Sequence, residues 1–310
     1  MDFERNADQE AILEALGGLL ARHAGPARAI ELGRKSEYDF ELDAALHEAG
    51  FIELACGEQT GPLEAALVVE AVAKAGGVVG IGAAALVAPG VLGRSPPGPV
   101  AVSTADASAP VRFAGSARSL LISDGDSARL ATIEPGAAEP VTSNFGYPMA
   151  RLKSGEVRSE SLGPGSGERL RSWWRLALAA EAVGTMAGAF EVTLEYVKRR
   201  RQFGQAIGSF QAVQHRLAEC AVLLEGSRWL TYEAAADGAP AEKSAAAAAH
   251  AVAAAGRIFA ETHQLTGAMG FTREHDLHVW SMRLQALRLE LGGVAAQRRA
   301  AAEARWVHSP

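Results

Sequence analysis

Apolar side chains recur at helical spacing through the first part of the chain. Over residues 8–23, leucine and isoleucine fall every three or four positions, which is typical of an amphipathic helix. The same spacing predicts helices over 42–49, 61–76 and 78–87, with Gly-Pro pairs or single glycines at several of their ends. These segments predict an N-terminal helical domain over residues 1–90.

The pattern changes after residue 90 from helical spacing to short apolar runs. The run Ser95-Pro-Pro-Gly-Pro99 is incompatible with a helix, because proline lacks the backbone donor that a helix interior needs. Short strands are predicted over 100–103, 111–113, 119–123, 129–133 and 149–152, separated by Gly-, Asp- and Pro-containing turns. We therefore expect a small, truncated antiparallel β-domain over 91–162.

The remainder of the chain, 163–310, is helical after the Gly-rich run at residues 163–167. Apolar and alanine-rich spacing predicts four long helices joined by short loops, which is the pattern of an up-and-down bundle. They cover residues 169–200, 210–236, 242–266 and 277–305. The predicted fold class is α+β, mostly α, with an N-terminal helical domain, a small middle β-domain and a C-terminal four-helix bundle.

The composition of the chain argues against several classes of binding partner. A net charge of −6 argues against nucleic acid as the main ligand. The most apolar run, 78–92, is too short and too rich in glycine and proline to span a bilayer. Cys56 and Cys220 are far apart and indicate neither a disulfide framework nor a metal site. The charged first ten residues predict no signal peptide, so we expect a cytoplasmic protein without membrane or nucleic-acid partners.

Two ordered sequence motifs point to a family. Residues 199–220, RRRQFGQAIGSFQAVQHRLAEC, predict a basic helix end, a turn anchored by Phe203, Ile207 and Phe210, and a new helix capped by Ser209. Residues 264–274 read QLTGAMGFTRE. Both motifs, in this order and with a long helical segment between them, closely resemble the acyl-CoA dehydrogenase family.

The resemblance implies a three-part fold of helices, β-domain and helical bundle, and a chemistry of α,β-dehydrogenation. In that reaction a carboxylate removes the α-proton of an acyl-CoA thioester, and FAD accepts the β-hydrogen as hydride. The family places the carboxylate at one of two positions. Alignment on the motifs puts Leu291 or Gly292 at the first and Trp174 at the second, and none of these is acidic. Glu290 is a weak catalytic candidate, and we favour its interpretation as a solvated helix residue paired with a nearby arginine.

The flavin-binding residues divide into two groups. The family loop that contacts the flavin ring corresponds here to residues 103–108, Ser-Thr-Ala-Asp-Ala-Ser, which does not match the family pattern. The residues that reach across a dimer interface to the partner's FAD are retained. They are Arg200 for the pyrophosphate, Phe203 for the apolar flank, Gln264 as a hydrogen-bonding group, and Gly267 and Gly270 for close backbone approach.

These observations predict a base-lacking subunit of a heteromeric acyl-CoA dehydrogenase. The expected partner is a full-length homologue in an α2β2 assembly, similar to those of actinobacterial steroid side-chain degradation. That partner would bind most of the acyl-CoA and share its FAD with this chain. An electron-transfer flavoprotein or similar acceptor would reoxidise the flavin. The alternatives are a self-sufficient homo-oligomeric enzyme that uses Glu290 as its base, and a non-enzymatic scaffold with the same fold.

Overall fold

The N-terminal part of the molecule is a helical layer. The computed structural model describes residues 4–106, 109–153 and 158–306. The first four helices are α1 (Ala7–His23), α2 (Pro26–Lys35), α3 (Phe40–Glu48) and α4 (Pro62–Lys74). Helix α2 was not predicted, because Gly25-Pro26 reads as the end of α1. Proline at the first helical position also starts a helix, since the donor that it lacks has no partner there.

A distorted helix connects this layer to the sheets. A π-helical segment, Ala83–Val87, continues directly into α5 (Ala88–Leu92). Such π-segments insert an extra residue in a turn and are frequent at functional sites. The predicted boundary at residue 90 falls inside α5, so the helical stretch extends a few residues beyond the predicted end. The domain division 1–90, 91–162 and 163–310 remains a prediction.

The middle of the chain forms two small sheets. Their seven strands, counted over residues 100–106, 109–153 and 158–164, are β1 (Val100–Thr104), β2 (Val111–Arg112), β3 (Ser119–Asp124), β4 (Ser127–Thr132), β5 (Ala138–Val141), β6 (Met149–Leu152) and β7 (Arg158–Pro164). The strand order is β1-β3-β4-β7 in one sheet and β2-β6-β5 in the other.

Two aspects of the β-domain prediction were wrong. The prediction missed β5 and β7, whose exposed and proline-containing sequences lack a clear apolar alternation. It also took the domain to be wholly antiparallel, whereas β1 and β3 pair in parallel, with Val100 opposite Ser119. The chain crosses between these two strands through β2 and its turns, which no local pattern reveals.

The C-terminal part is a bundle built around one central helix. Its members are α6 (Ser166–Arg199), α7 (Gln211–Ala236), α8 (Ala241–Thr266), α9 (Leu277–Leu287) and α10 (Gly293–Trp306). Between α6 and α7 lies a short hairpin of β8 (Arg201–Gln202) and β9 (Gln205–Ala206). The predicted single last helix was wrong, because Leu291 has a left-handed backbone (φ 51°) and Gly292 and Gly293 follow with positive φ.

Helix α6 is the core of the molecule. It is long and apolar enough to cross a membrane, but its most apolar stretch is 83% buried inside the protein, as expected for a core helix. Small residues let neighbours approach: a Cβ on Gly184 would collide with the backbone of α4, and one on Gly188 would collide with the Trp280 ring of α9. Helix α6 therefore fixes the relative positions of the N-terminal layer, the sheets and the bundle.

Candidate functional site

One end of the bundle gathers the residues of the two sequence motifs. Consecutive helices of an up-and-down bundle run in opposite directions, so α6 and α8 finish at the same end. Arg200 directly follows α6, and Gly267 directly follows α8. The rings of Tyr196 and His275 meet edge to face, with centroids 5.2 Å apart, and connect the two segments. The fold therefore places Arg200 and Gly267, which are more than sixty positions apart in the sequence, at the same end of the bundle.

The hairpin after α6 presents Phe203 to solvent. Phe203 and Gly204 both have positive φ, 54° and 81°, as in the two-residue turns that match the twist of a hairpin. A left-handed conformation is costly for phenylalanine, and this side chain is 91% exposed. The prediction of Phe203 as an apolar anchor of the turn was wrong, since the side chain is almost wholly exposed, with the Phe210 ring centre 6.1 Å away. The strained backbone and the exposed ring make Phe203 a candidate contact residue.

Ser209 does not cap α7 as predicted. Its hydroxyl instead donates to the carbonyl of Ala206, 2.6 Å away, and α7 begins after Phe210 without a side-chain cap. This contact closes the end of the hairpin. The hairpin is fixed on its other side by the backbone N–H of Ile207, which donates to the carbonyl of Arg200 at 2.8 Å.

The polar groups at this end suit an anionic ligand. Arg200 and Gln264 are exposed, and Gly267 has φ 58° and ψ −143°, a conformation that essentially only glycine adopts. Gly270 is buried against Thr266, where a Cβ would collide with the threonine hydroxyl. These groups offer a guanidinium, an amide and an exposed backbone turn within one surface.

The three arginines of the motif differ in their partners. Arg199 pairs with Glu195 at 3.3 Å, and Lys198 pairs with the same carboxylate at 3.0 Å. Over residues 4–106, 109–153 and 158–306, neither Arg200 nor Arg201 forms an ion pair through its side chain. The Arg200 guanidinium is therefore available to an external anion, and Arg199 is partly neutralised.

A second candidate region is a cavity of about 550 Å³ between the sheets and the helices. The π-helical segment, β1, α6 and the turn after α9 surround it. Its walls are mostly apolar, and include Val87, Val100, Val102, Met149, Leu178 and Leu289. The mouth carries Thr104 and Asp106 from the predicted flavin loop; Ala107 and Ser108 of that loop lie outside the described residues.

Both family positions for the catalytic carboxylate face this one cavity. Trp174 on α6 and Leu291 and Gly292 after α9 line it together. The Trp174 indole is buried and its Nε1–H donates to Glu290 Oε2 at 3.0 Å. The two alignments made from sequence thus lead to the same place in the fold, and the large indole occupies part of it.

Glu290 belongs to a charged network inside the cavity. Its Oε1 accepts from Arg112 Nε, while Arg112 Nη1 donates to Glu181 at 2.7 Å. The Glu290 side chain is only 15% exposed. It does pair with an arginine, but the interpretation as a solvated helix residue was wrong, because it lies in a 3-10 turn and its partner is on β2.

Glu181 is a cavity residue that the sequence analysis missed. It lies in the middle of α6, is 5% exposed, and receives a hydrogen bond from the backbone N–H of Gly82 at the start of the π-segment. A Cβ at position 82 would collide with the Glu181 carboxylate, so any other residue there would displace it. The available signal was that Glu181 is the only charged residue within 176–190, since a carboxylate in an apolar helix is rarely buried without a partner.

Burial and charge act in opposite directions on this network. Burial raises the pKa of Glu181, although Arg112 works against this rise. Burial also works to lower the pKa of Arg112, but Glu181 and Glu290 outweigh it, and the pKa is raised above its ordinary value. Arg112 therefore stays charged, with its guanidinium carbon 4.9 Å from the Tyr147 ring centre.

Sequence and structure comparisons agree on the family. The acyl-CoA dehydrogenase C-terminal domain matches residues 170–305. Acyl-CoA dehydrogenase IpdE2 of Mycobacterium tuberculosis is 31% identical over 304 residues, which cover 89% of this chain and 90% of the relative.

Solved structures share the fold at lower identity. A chain of a Tcur3481-Tcur3483 steroid ACAD variant superimposes with a TM-score of 0.82 at 21% identity, over 96% of this chain and 97% of its own. A chain of the ChsE4-ChsE5 complex from Mycobacterium tuberculosis gives a TM-score of 0.80 at 20% identity, with full coverage of both. The similarity over nearly the whole length, in sequence as well as in fold, establishes that this chain belongs to the acyl-CoA dehydrogenase family.

Proposed function

We propose that this chain is a half-site subunit of a heteromeric, FAD-dependent acyl-CoA dehydrogenase. It contributes the cross-interface contacts to a FAD held mainly by a full-length partner, in an α2β2 assembly. When bound, FAD supplies the hydride acceptor for α,β-dehydrogenation of the acyl-CoA. The observation that carries the proposal is a contrast between two regions. Arg200 is exposed and has no ion pair among the described residues, whereas Glu181 and Glu290 in the cavity are both engaged with other side chains.

The bundle end supports the cofactor part of this proposal. Arg200 offers a fork of donors that matches a pyrophosphate, and its charge is not used by a neighbour within the described residues. Gln264 and the Gly267 turn lie at the same end and offer an amide and backbone groups. Phe203 would bury its exposed ring against the apolar side of the cofactor or the partner.

The side chains inside the cavity support the proposal that this chain does not bind a flavin ring by itself. A flavin ring placed there would share the space with the Trp174 indole and with the Arg112 and Glu290 side chains. The Trp174 indole and the Arg112–Glu181 pair would have to move to make room for the ring. The residues of this chain thus fit the pyrophosphate and adenosine end of FAD better than its ring.

The relatives support a heteromeric assembly and a steroid substrate. Two of the structures with the same fold are two-component complexes, and one of them is a steroid ACAD. By analogy, the substrate class proposed here is the CoA ester of a steroid side chain, bound mainly by the partner in the cytoplasm. An electron-transfer flavoprotein or a similar acceptor completes the proposed cycle.

Flavin content tests this proposal. Purified alone, the chain should contain little FAD and should not dehydrogenate an acyl-CoA, because the aligned base positions carry Leu291, Gly292 and Trp174 and the flavin loop does not match the family pattern. Co-expressed with a full-length homologue from the same genome, it should form a yellow and active complex. Absorbance at the flavin band per polypeptide and steady-state turnover provide the two readouts. A yellow, active homo-oligomer without any partner would refute the proposal.

The second candidate function is a self-sufficient enzyme with Glu290 as its base, because Glu290 does face the cavity. Both of its oxygens accept hydrogen bonds within the network, so we expect Glu290→Gln to leave turnover of the complex nearly unchanged. A positioned general base would instead contribute at least about 10²-fold. Steady-state rates on one acyl-CoA decide between the two, with Glu134→Gln, an exposed turn residue, as the matched control.

A further inference from the structure

The cavity contains a pair of hydrogen-bond donors that converge on one carboxylate. Arg112 Nε donates to Oε1 of Glu290, and Trp174 Nε1 donates to Oε2 at 3.0 Å. One donor for each oxygen matches the two acceptor oxygens of a carboxylate, and the bond from Arg112 is charge-assisted. At present the chain's own Glu290 occupies this subsite.

Arg112 does not depend on Glu290 for its charge balance. Glu181 accepts from Arg112 Nη1 at 2.7 Å, and it is fixed in the middle of α6 and by the backbone of Gly82. Arg283, which also lies over the Tyr147 ring, donates to the carbonyls of Gly77 and Gly146 instead of to the carboxylates. If the Glu290 side chain left, Arg112 would retain a buried counterion.

The backbone of the turn that carries Glu290 is held independently of the Glu290 side chain. Gln297 donates to the carbonyls of Glu290 and Leu291, at 3.4 and 3.1 Å, and holds the backbone of the turn. The neighbouring Leu289 is 65% exposed, so solvent lies next to this position. An exchange of ligands at this subsite would need the Glu290 side chain to rotate out of the cavity toward this exposed position.

We infer that this cavity binds an aliphatic monocarboxylate, whose carboxylate replaces that of Glu290 between Arg112 and Trp174. The exchange leaves the charge inside the cavity unchanged, because one carboxylate enters as another leaves. The hydrocarbon part of the ligand is buried against the apolar walls formed by α6, β1 and the π-segment, and removal of this apolar surface from water favours binding. The inference goes beyond the proposed function, since it requires neither a partner subunit nor FAD.

Calorimetric titration of the full chain with decanoate tests the inference, with 1-decanol as the neutral probe of equal chain length. We expect decanoate to bind at least about tenfold more tightly than 1-decanol, because only the acid can bond both donors with a charged group. Glu290→Gln keeps the shape of the side chain but weakens the internal competitor, so decanoate should bind that variant several-fold more tightly. Glu134→Gln, which removes an exposed carboxylate of the β-domain, should bind decanoate like the unmodified chain.

Equal affinity for decanoate and 1-decanol, no decanoate binding at all, or weaker binding to Glu290→Gln would each overturn the inference. Arg112→Lys tests the donor geometry, because lysine keeps the positive charge beside Glu181 but lacks the planar fork of donors. We expect this variant to bind decanoate at least about tenfold more weakly. A negative outcome in any of these tests would not affect the proposed sharing of FAD, because that proposal depends on residues at the end of the bundle and not on the cavity.

Discussion

Replacing Arg112 with methionine should lower the free energy of unfolding by about 3–5 kcal/mol, the largest effect expected of any single substitution described for this chain. The change leaves Glu181 and Glu290 buried side by side without their shared counterion. It also removes the contact that joins β2 to α6 and to the turn after α9. Urea denaturation of the purified chain or complex, followed by circular dichroism, measures the loss.

The same variant should show a pH dependence of defined sign. Burial already raises the pKa of Glu181 above its ordinary value of 4.5, and Arg112 is the main opposing influence. Without Arg112, the Glu181 carboxylate binds a proton more strongly in the folded state than in the unfolded state. The free energy of unfolding of the variant therefore rises as the pH falls toward 4.5. The stability deficit of Arg112→Met should therefore be smaller near pH 5.5 than near pH 8.

An exposed arginine provides the control for both results. Arg94, in the loop before β1, is exposed. Arg94→Met should change stability by less than about 0.5 kcal/mol, with no such pH dependence. A loss below about 1 kcal/mol for Arg112→Met, or an equal loss at both pH values, would contradict the account of the network.

The long helices could be predicted from the sequence because uninterrupted apolar and alanine-rich stretches span them, with glycine, proline or turn residues at their ends. Helices α6 and α8 were predicted to within three residues at each end. The last helix was not, because leucines continue at helical spacing through Leu287 and Leu291 while the backbone reverses at Gly292. A left-handed leucine depends on the packing around it, and an apolar pattern does not reveal it.

The two candidate regions differ in how far the sequence predicted them. The bundle-end residues lie in two contiguous motifs, and the fold needed only to bring the ends of α6 and α8 together. The cavity network joins residues that are distant in sequence: 69 positions separate Arg112 from Glu181, and 178 separate it from Glu290. Such pairs depend on the parallel crossover of β1 and β3 and on the break after α9, neither of which was predicted.

Replacing Arg200 with alanine should weaken FAD binding in the assembled complex by about 1.5–3 kcal/mol, or roughly ten- to hundredfold. The expected cause is the loss of charge-assisted hydrogen bonds to the pyrophosphate of the partner's FAD. The subunits should still assemble, because this exposed guanidinium supports no other part of the described structure. Size-exclusion chromatography of the variant complex checks assembly.

The arginines on either side provide matched controls for this site. Arg199 pairs with Glu195, and Arg201 begins the hairpin. Replacing either one with alanine therefore removes one positive charge from the same end of the bundle. The most direct test of the half-site role is the dissociation rate of FAD from the complex, measured for all three alanine variants at one ionic strength. The half-site role predicts fast release from Arg200→Ala and near-normal release from Arg199→Ala and Arg201→Ala. Unchanged release from Arg200→Ala, or equal release from all three variants, would contradict it.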